Sequence, residues 1–195
     1  TAQFINEKLG KAADILNGKE TTAMETKADG TLYSKEVYDL GDGCSLTVEL
    51  SDMSENNNFF INPLATSGSS ELWKAYGNRY FTAKATVDTT AGSVGLSLEN
   101  HYILSANGID ENYGKADYTA NGLNRVSVSK KSPVIEDKIA RTPGASDVNI
   151  YSDYTIYVSG DKMGSYRLNT TVKYLAIDKT NKKIKVGHSW NLTKL

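Results

Sequence analysis

From Leu32 onward, apolar and polar residues trade places at every second position, a period that admits little besides β-strands with one wet face. Across residues 79–87, Phe81, Ala83, Ala85 and Val87 fall on one side, and Tyr80, Thr82, Lys84 and Thr86 on the other. Residues 184–192 repeat the pattern with Ile184, Val186, His188, Trp190 and Leu192 in phase. Cys44, Leu46, Val48 and Leu50 form a third row, Leu96, Leu98, Tyr102 and Leu104 a fourth, and Ile150, Tyr154, Ile156 and Val158 a fifth. Turn residues separate these runs: Gly41-Asp42-Gly43, Asp88 to Gly92, Pro143-Gly144, Gly160-Asp161 and Asp178 to Asn181. About nine or ten strands follow one another with no helix between them. Parallel neighbours would need long crossovers, so the expected fold is an all-β, antiparallel β-sandwich.

Helical spacing occurs once, near the start. Ile5, Leu9, Ala12, Ala13 and Leu16 form a narrow apolar stripe, and Asn17-Gly18 supplies a stop. The chain therefore divides into an N-terminal helix (1–17), a polar connector (18–31) and a single β-sandwich domain (32–195). Within the sandwich, 51–58 and 66–70 read as loops flanking Phe59-Phe60-Ile61, the segment holding Trp73 and Tyr76 reads as loop-like, and 113–128 reads as two short strands broken at Gly114 and Asn121-Gly122.

Twelve Tyr against four Phe and two Trp place a hydroxyl on most of the aromatic mass, which suits pleated, half-exposed surfaces. With 22 Lys and Arg against 23 Asp and Glu, the charge balance leaves no footprint for nucleic acid or anionic lipid. No apolar run reaches the ~18 residues of a transmembrane segment. The single cysteine, Cys44, closes no internal disulfide. The start at Thr1-Ala2-Gln3 suits a mature protein from which a leader has been removed.

Three runs, Ala75 to Ala83, Asn100 to Ser105 and Ala176 to Lys183, make the chain beyond residue 70 similar to secreted β-sandwich proteins of Gram-positive gut bacteria. The resemblance implies a secreted or cell-surface, bacterial address. It implies no activity, because that group has none assigned.

No nucleophile elbow, zincin, phosphate-loop or dinucleotide fingerprint is present. One Cys and two His cannot assemble the usual thiolate and imidazole zinc site. Asp110-Glu111-Asn112-Tyr113-Gly114 opens like a calcium loop but has Lys115 at the sixth position and Asn121 at the twelfth, and reads as a polar loop. No metal or cofactor is expected. Cys44 and His188 share phases with aliphatic neighbours, so both read as core residues and not as a thiol–imidazole pair; His101 falls on the polar side with Ser97 and Glu99, and reads as exposed. No catalytic residue is assigned.

The leading functional reading is a non-catalytic binding or adhesion module whose ligand is carbohydrate or another surface protein. Trp73, Tyr76, Tyr80 and Tyr151 are its candidate contact residues, since aromatic rings with polar edges bind hydrophilic partners at low entropic cost. One alternative is a polysaccharide hydrolase using two of Glu36, Glu49, Glu99 and Asp153. Another is a pore-forming or bacteriocin-like protein with Ser/Thr/Lys-rich hairpins.

Overall fold

The computed structural model describes residues 2–16, 24–27, 31–55 and 73–195. Phe59-Phe60-Ile61 and the 66–70 loop lie outside the described residues. Helix α1 spans Ala2–Leu16, and thirteen strands follow among the described residues: β1 (Glu25–Thr26), β2 (Leu32–Gly41), β3 (Cys44–Ser54), β4 (Trp73–Ala75), β5 (Gly77–Thr89), β6 (Gly92–Ser105), β7 (Gly108–Asn121), β8 (Val126–Lys130), β9 (Val134–Asp137), β10 (Ile139–Ala140), β11 (Ser146–Val158), β12 (Asp161–Asp178) and β13 (Lys183–Lys194). Sheet A runs β1-β2-β3-β5-β6-β7-β10; sheet B runs β4-β13-β12-β11-β8, with β9 also on β11. Every pairing is antiparallel. The two sheets pack face to face as the antiparallel sandwich expected from the alternation.

The β2–β3 hairpin shows how local chemistry sets register. Asp42 and Gly43 both have positive φ, 56° and 72°, the backbone of a two-residue turn whose twist matches the flanking strands. That turn fixes the phase of β3, so Cys44, Leu46, Val48 and Leu50 all point inward and are at most 3% exposed. On β5 the inward set is Arg79, Phe81, Ala83, Ala85 and Val87.

Helix α1 buries Ile5, Leu9, Ala12, Ala13 and Leu16 against strands of both sheets, chiefly β13. Lys8 of the helix is itself buried and donates to the Leu40 carbonyl at 2.9 Å and to Asp42 Oδ2 at 2.7 Å. The helix is thereby tied to the tip of the first hairpin.

Four segments depart from the sequence reading. The polar connector contains β1, which pairs Glu25 with Tyr33 and Thr26 with Leu32. Strand β3 continues through 51–54 rather than ending in a loop, because Asp52 keeps the inward phase of Leu50. Trp73 lies in a strand, β4, on the edge of β13. Residues 108–121 form one strand instead of a loop and a fragment: a bulge between His101 and Tyr102 absorbs the extra residue at Asn112. Gly114 belongs inside that strand because a Cβ there would lie 2.2 Å from Ile150 Cδ1; what reads as a breaker is a site of close sheet-to-sheet approach.

Candidate functional site

Two groups of chemically capable side chains stand back to back on sheet A. The first faces inward. Asp52, fully buried on β3, accepts Nε–H of Arg79 at Oδ1, 2.7 Å away. Its Oδ2 accepts from the Tyr102 hydroxyl of β6 and from His188 Nε2 of β13, the latter at 2.7 Å. A carboxylate only accepts, so the His188 proton sits on Nε2. The Phe81 ring lies against the imidazole with centroids 4.7 Å apart, and His188 Nδ1 has no hydrogen-bond partner among the described residues. Burial alone would raise the Asp52 carboxyl; the fields of Arg79 and His188, with the hydrogen bonds from His188 and Tyr102, hold it instead at about 2. Next to the cluster, burial and the Arg79 charge lower Lys74 to about 8.

The same inward belt continues along β6 and β7. Asn100 and Thr170 are fully buried and Glu111 nearly so. Asn100 Nδ2 donates to Thr170 Oγ1 at 3.3 Å, and Thr170 donates to the Ile150 carbonyl, also at 3.3 Å. The other polar atom of the Asn100 amide lies 2.6 Å from Glu111 Oε1 and 2.9 Å from Oε2. Burial pushes Glu111 up to about 8, against a lowering hydrogen bond from Asn100. With the amide turned over, its nitrogen donates to both Glu111 oxygens and its carbonyl oxygen faces Thr170 Oγ1. This part of the belt is thus satisfied internally, as buried polar groups must be.

The second group faces out. Met53, Tyr80, His101 and Tyr113 lie directly opposite one another across β3, β5, β6 and β7. His101 stacks on Tyr80 (centroids 5.0 Å, planes 16° apart) and on Tyr113 (4.1 Å, 13°). Its Nδ1 bonds Glu55, and Glu99 Oε2 lies 3.8 Å from Nε2. The expectation that His101 is exposed is corrected: it is 7% exposed, because the two tyrosines cover both faces of the ring. Tyr113 ends the stack and is 47% exposed; with one face on His101, its other face meets solvent. Lys115 approaches Glu99 at 3.9 Å beside it.

The candidate contact residues inferred from sequence are spread over three places. Tyr80 belongs to this outer row, where its hydroxyl bonds Met53 Sδ. Tyr151 lies on the outer face of sheet B under the Arg167 guanidinium, 3.9 Å above its ring. Trp73 and Tyr76 sit at the β4 edge, both partly buried, and Tyr76 packs against the core. The structure does not bring the four together. Of the carboxylates weighed for hydrolysis, Asp153 is held by Arg167 at 2.8 Å and Glu36 by the Tyr38 hydroxyl. Cys44 and His188 are both buried, with the histidine on Asp52, eight residues or about 26 Å along β3 from Cys44. The Asp110–Gly114 run lies within β7.

Among the described residues, no helix is long and apolar enough to cross a membrane, and no three His, Cys, Asp or Glu side chains group to hold a metal ion. What the arrangement offers is a closed acid–base belt inside and an open aromatic edge outside, and no protein family, curated protein or solved structure matches the chain that carries them.

Proposed function

We propose that this protein is a secreted or cell-surface bacterial binding module with no catalytic role, and that it holds carbohydrate on the outer face of sheet A. The observation that carries the reading is the Tyr80–His101–Tyr113 stack, which ends in a half-exposed ring. Rings locked by cross-strand neighbours lose little freedom on binding. The free face of Tyr113 accepts the C–H face of a sugar, while Glu99 and Lys115 beside it accept and donate to hydroxyls. The resemblance of the 75–83, 100–105 and 176–183 runs to secreted proteins supports the extracellular address.

A glycan array probed with the whole chain tests this. Binding that disappears in Tyr113→Ala and persists in Tyr151→Ala is expected. Binding that survives Tyr80→Ala and Tyr113→Ala together removes the outer row as the contact. Loss on Trp73→Ala with Tyr76→Ala would move the contact to the β4 edge. No glycan bound, but a surface protein captured through Tyr113, would change the ligand class.

A further inference from the structure

Short end strands leave three long strands of the sandwich partly open at their edges: β2, β7 and β13. Helix α1 packs on β13, and β8 and β9 pack on β7, where Lys130 Nζ donates to the Ala116 carbonyl. On β2, strand β1 covers only Leu32 and Tyr33, and α1 reaches the Leu40 carbonyl through Lys8. Between Lys35 and Asp39 no strand among the described residues pairs with this edge. Lys35, Val37 and Asp39 are exposed there, Val37 at 62%. Charges on an edge strand ordinarily keep other chains away. These charges do the reverse toward a second copy. Residues 35–39 read Lys-Glu-Val-Tyr-Asp. Laid antiparallel on itself with Val37 opposite Val37, the run sets Lys35 against Asp39 twice and brings no like charges face to face. Glu36 and Tyr38, which bond one another within the strand, fall opposite each other's copies.

We propose that two copies of this chain join through the β2 edge, antiparallel about Val37, in a symmetric dimer whose A sheets run on as one. The two-fold axis passes through Val37, so every contact is made twice. Backbone groups at the open edge supply the ladder, and the side chains choose the register. Sliding one copy by two residues sets Glu36 against Glu36 or Tyr38 against Tyr38, and takes Lys35 and Asp39 off each other. Strand β1 on Tyr33 and the bulge between Asp39 and Gly41 mark the ends of the ladder. A contact this short falls at the low end of specific interfaces, so the dimer forms and dissociates with concentration. Nothing in it depends on what Tyr113 binds.

Sedimentation of the whole chain from about 1 µM to about 1 mM tests it. The mass should rise toward twice that of one chain. Lys35→Asp sets Asp against Asp at both outer pairs, and Asp39→Lys sets Lys against Lys. Each variant alone should associate at least about tenfold more weakly. Mixed in equal amounts, the two should pair with each other, because every contact between positions 35 and 39 is again of opposite charge. A wild type that stays monomeric throughout overturns the proposal. So does a dimer that neither variant weakens, which would use another surface, and so does a mixture that stays monomeric. Val37→Cys gives a reading that needs no charge change: mild oxidation should link it to its own copy, while Lys35→Cys, which faces position 39, should stay unlinked. Cys44 is 2% exposed and does not compete. A Val37→Cys chain that links no faster than Lys35→Cys overturns the proposed axis.

Discussion

His188 and His101 occupy the same kind of company, each beside a carboxylate and an aromatic ring, yet they lie on opposite sides of sheet A. The split occurs within single dipeptides: Asp52 and Arg79 point in, and Met53 and Tyr80 point out. Inside, both Asp52 oxygens are taken by protein donors and water is excluded, so the carboxylate is beyond a ligand's reach. Outside, Tyr113 stacks on His101 at the end of the row and stays about half exposed. The residue types are shared; access to water makes one group structural and leaves the other available.

Four measurements test that contrast, beginning with the largest effect. Asp52→Asn leaves the Arg79 guanidinium buried without its counter-charge and should cost about 3–5 kcal/mol in urea unfolding. Glu55→Gln on the outer side should cost less than about 1 kcal/mol. In the wild type, the Asp52 contribution is present above the ordinary value of 3.8 and is lost as pH falls toward about 2; Asp52→Asn should lack that acid limb.

Glu111 has the opposite sign. Its folded carboxyl keeps its proton up to about 8, against an ordinary 4.5, so stability is full below 4.5 and declines as pH rises toward 8. The decline should be on the order of a few kcal/mol, and Glu111→Gln should flatten it in urea midpoints measured across that range.

Tyr102→Phe removes a hydrogen bond to a buried charge and should cost about 1.5–3 kcal/mol, whereas Tyr113→Phe should stay within about 0.5 kcal/mol of the wild type. Smallest among the interior changes, Cys44→Ala opens a small cavity worth on the order of 1 kcal/mol by the same unfolding assay. In the native protein, Cys44 should react with a bulky thiol reagent far more slowly than in urea.

The helix and the long hairpins were legible because periods of 3.6 and 2 are written in the residues that make them, as in Leu9 to Leu16 and Phe81 to Val87. The belt was harder to see, although a signal existed. Asp52 continues the phase of Leu46, Val48 and Leu50, and Arg79 that of Phe81 and Ala83, so a charged residue in step with an apolar row marks an inward charge. His101 had no such signal: its burial comes from Tyr80 and Tyr113, and strand pairing is not contained in the local pattern. Strand β4 is three residues long, too short to show a period. Gly114 misled because a chain break and a close approach both call for a missing side chain.

Helix α1 rests chiefly on β13, and β4 also completes its pairing there. Residues 17–182 separate the helix from the strand that seats it. At a synthesis rate of about 5–20 residues per second, that interval lasts on the order of ten to thirty seconds. Sheet A's hairpins close between neighbours as they are made, but the greasy stripe of Ile5, Leu9 and Leu16 lacks its main seat until β13 is made. The helix is thus made long before the strand that gives it its main seat, and its apolar stripe lacks that cover over the whole interval.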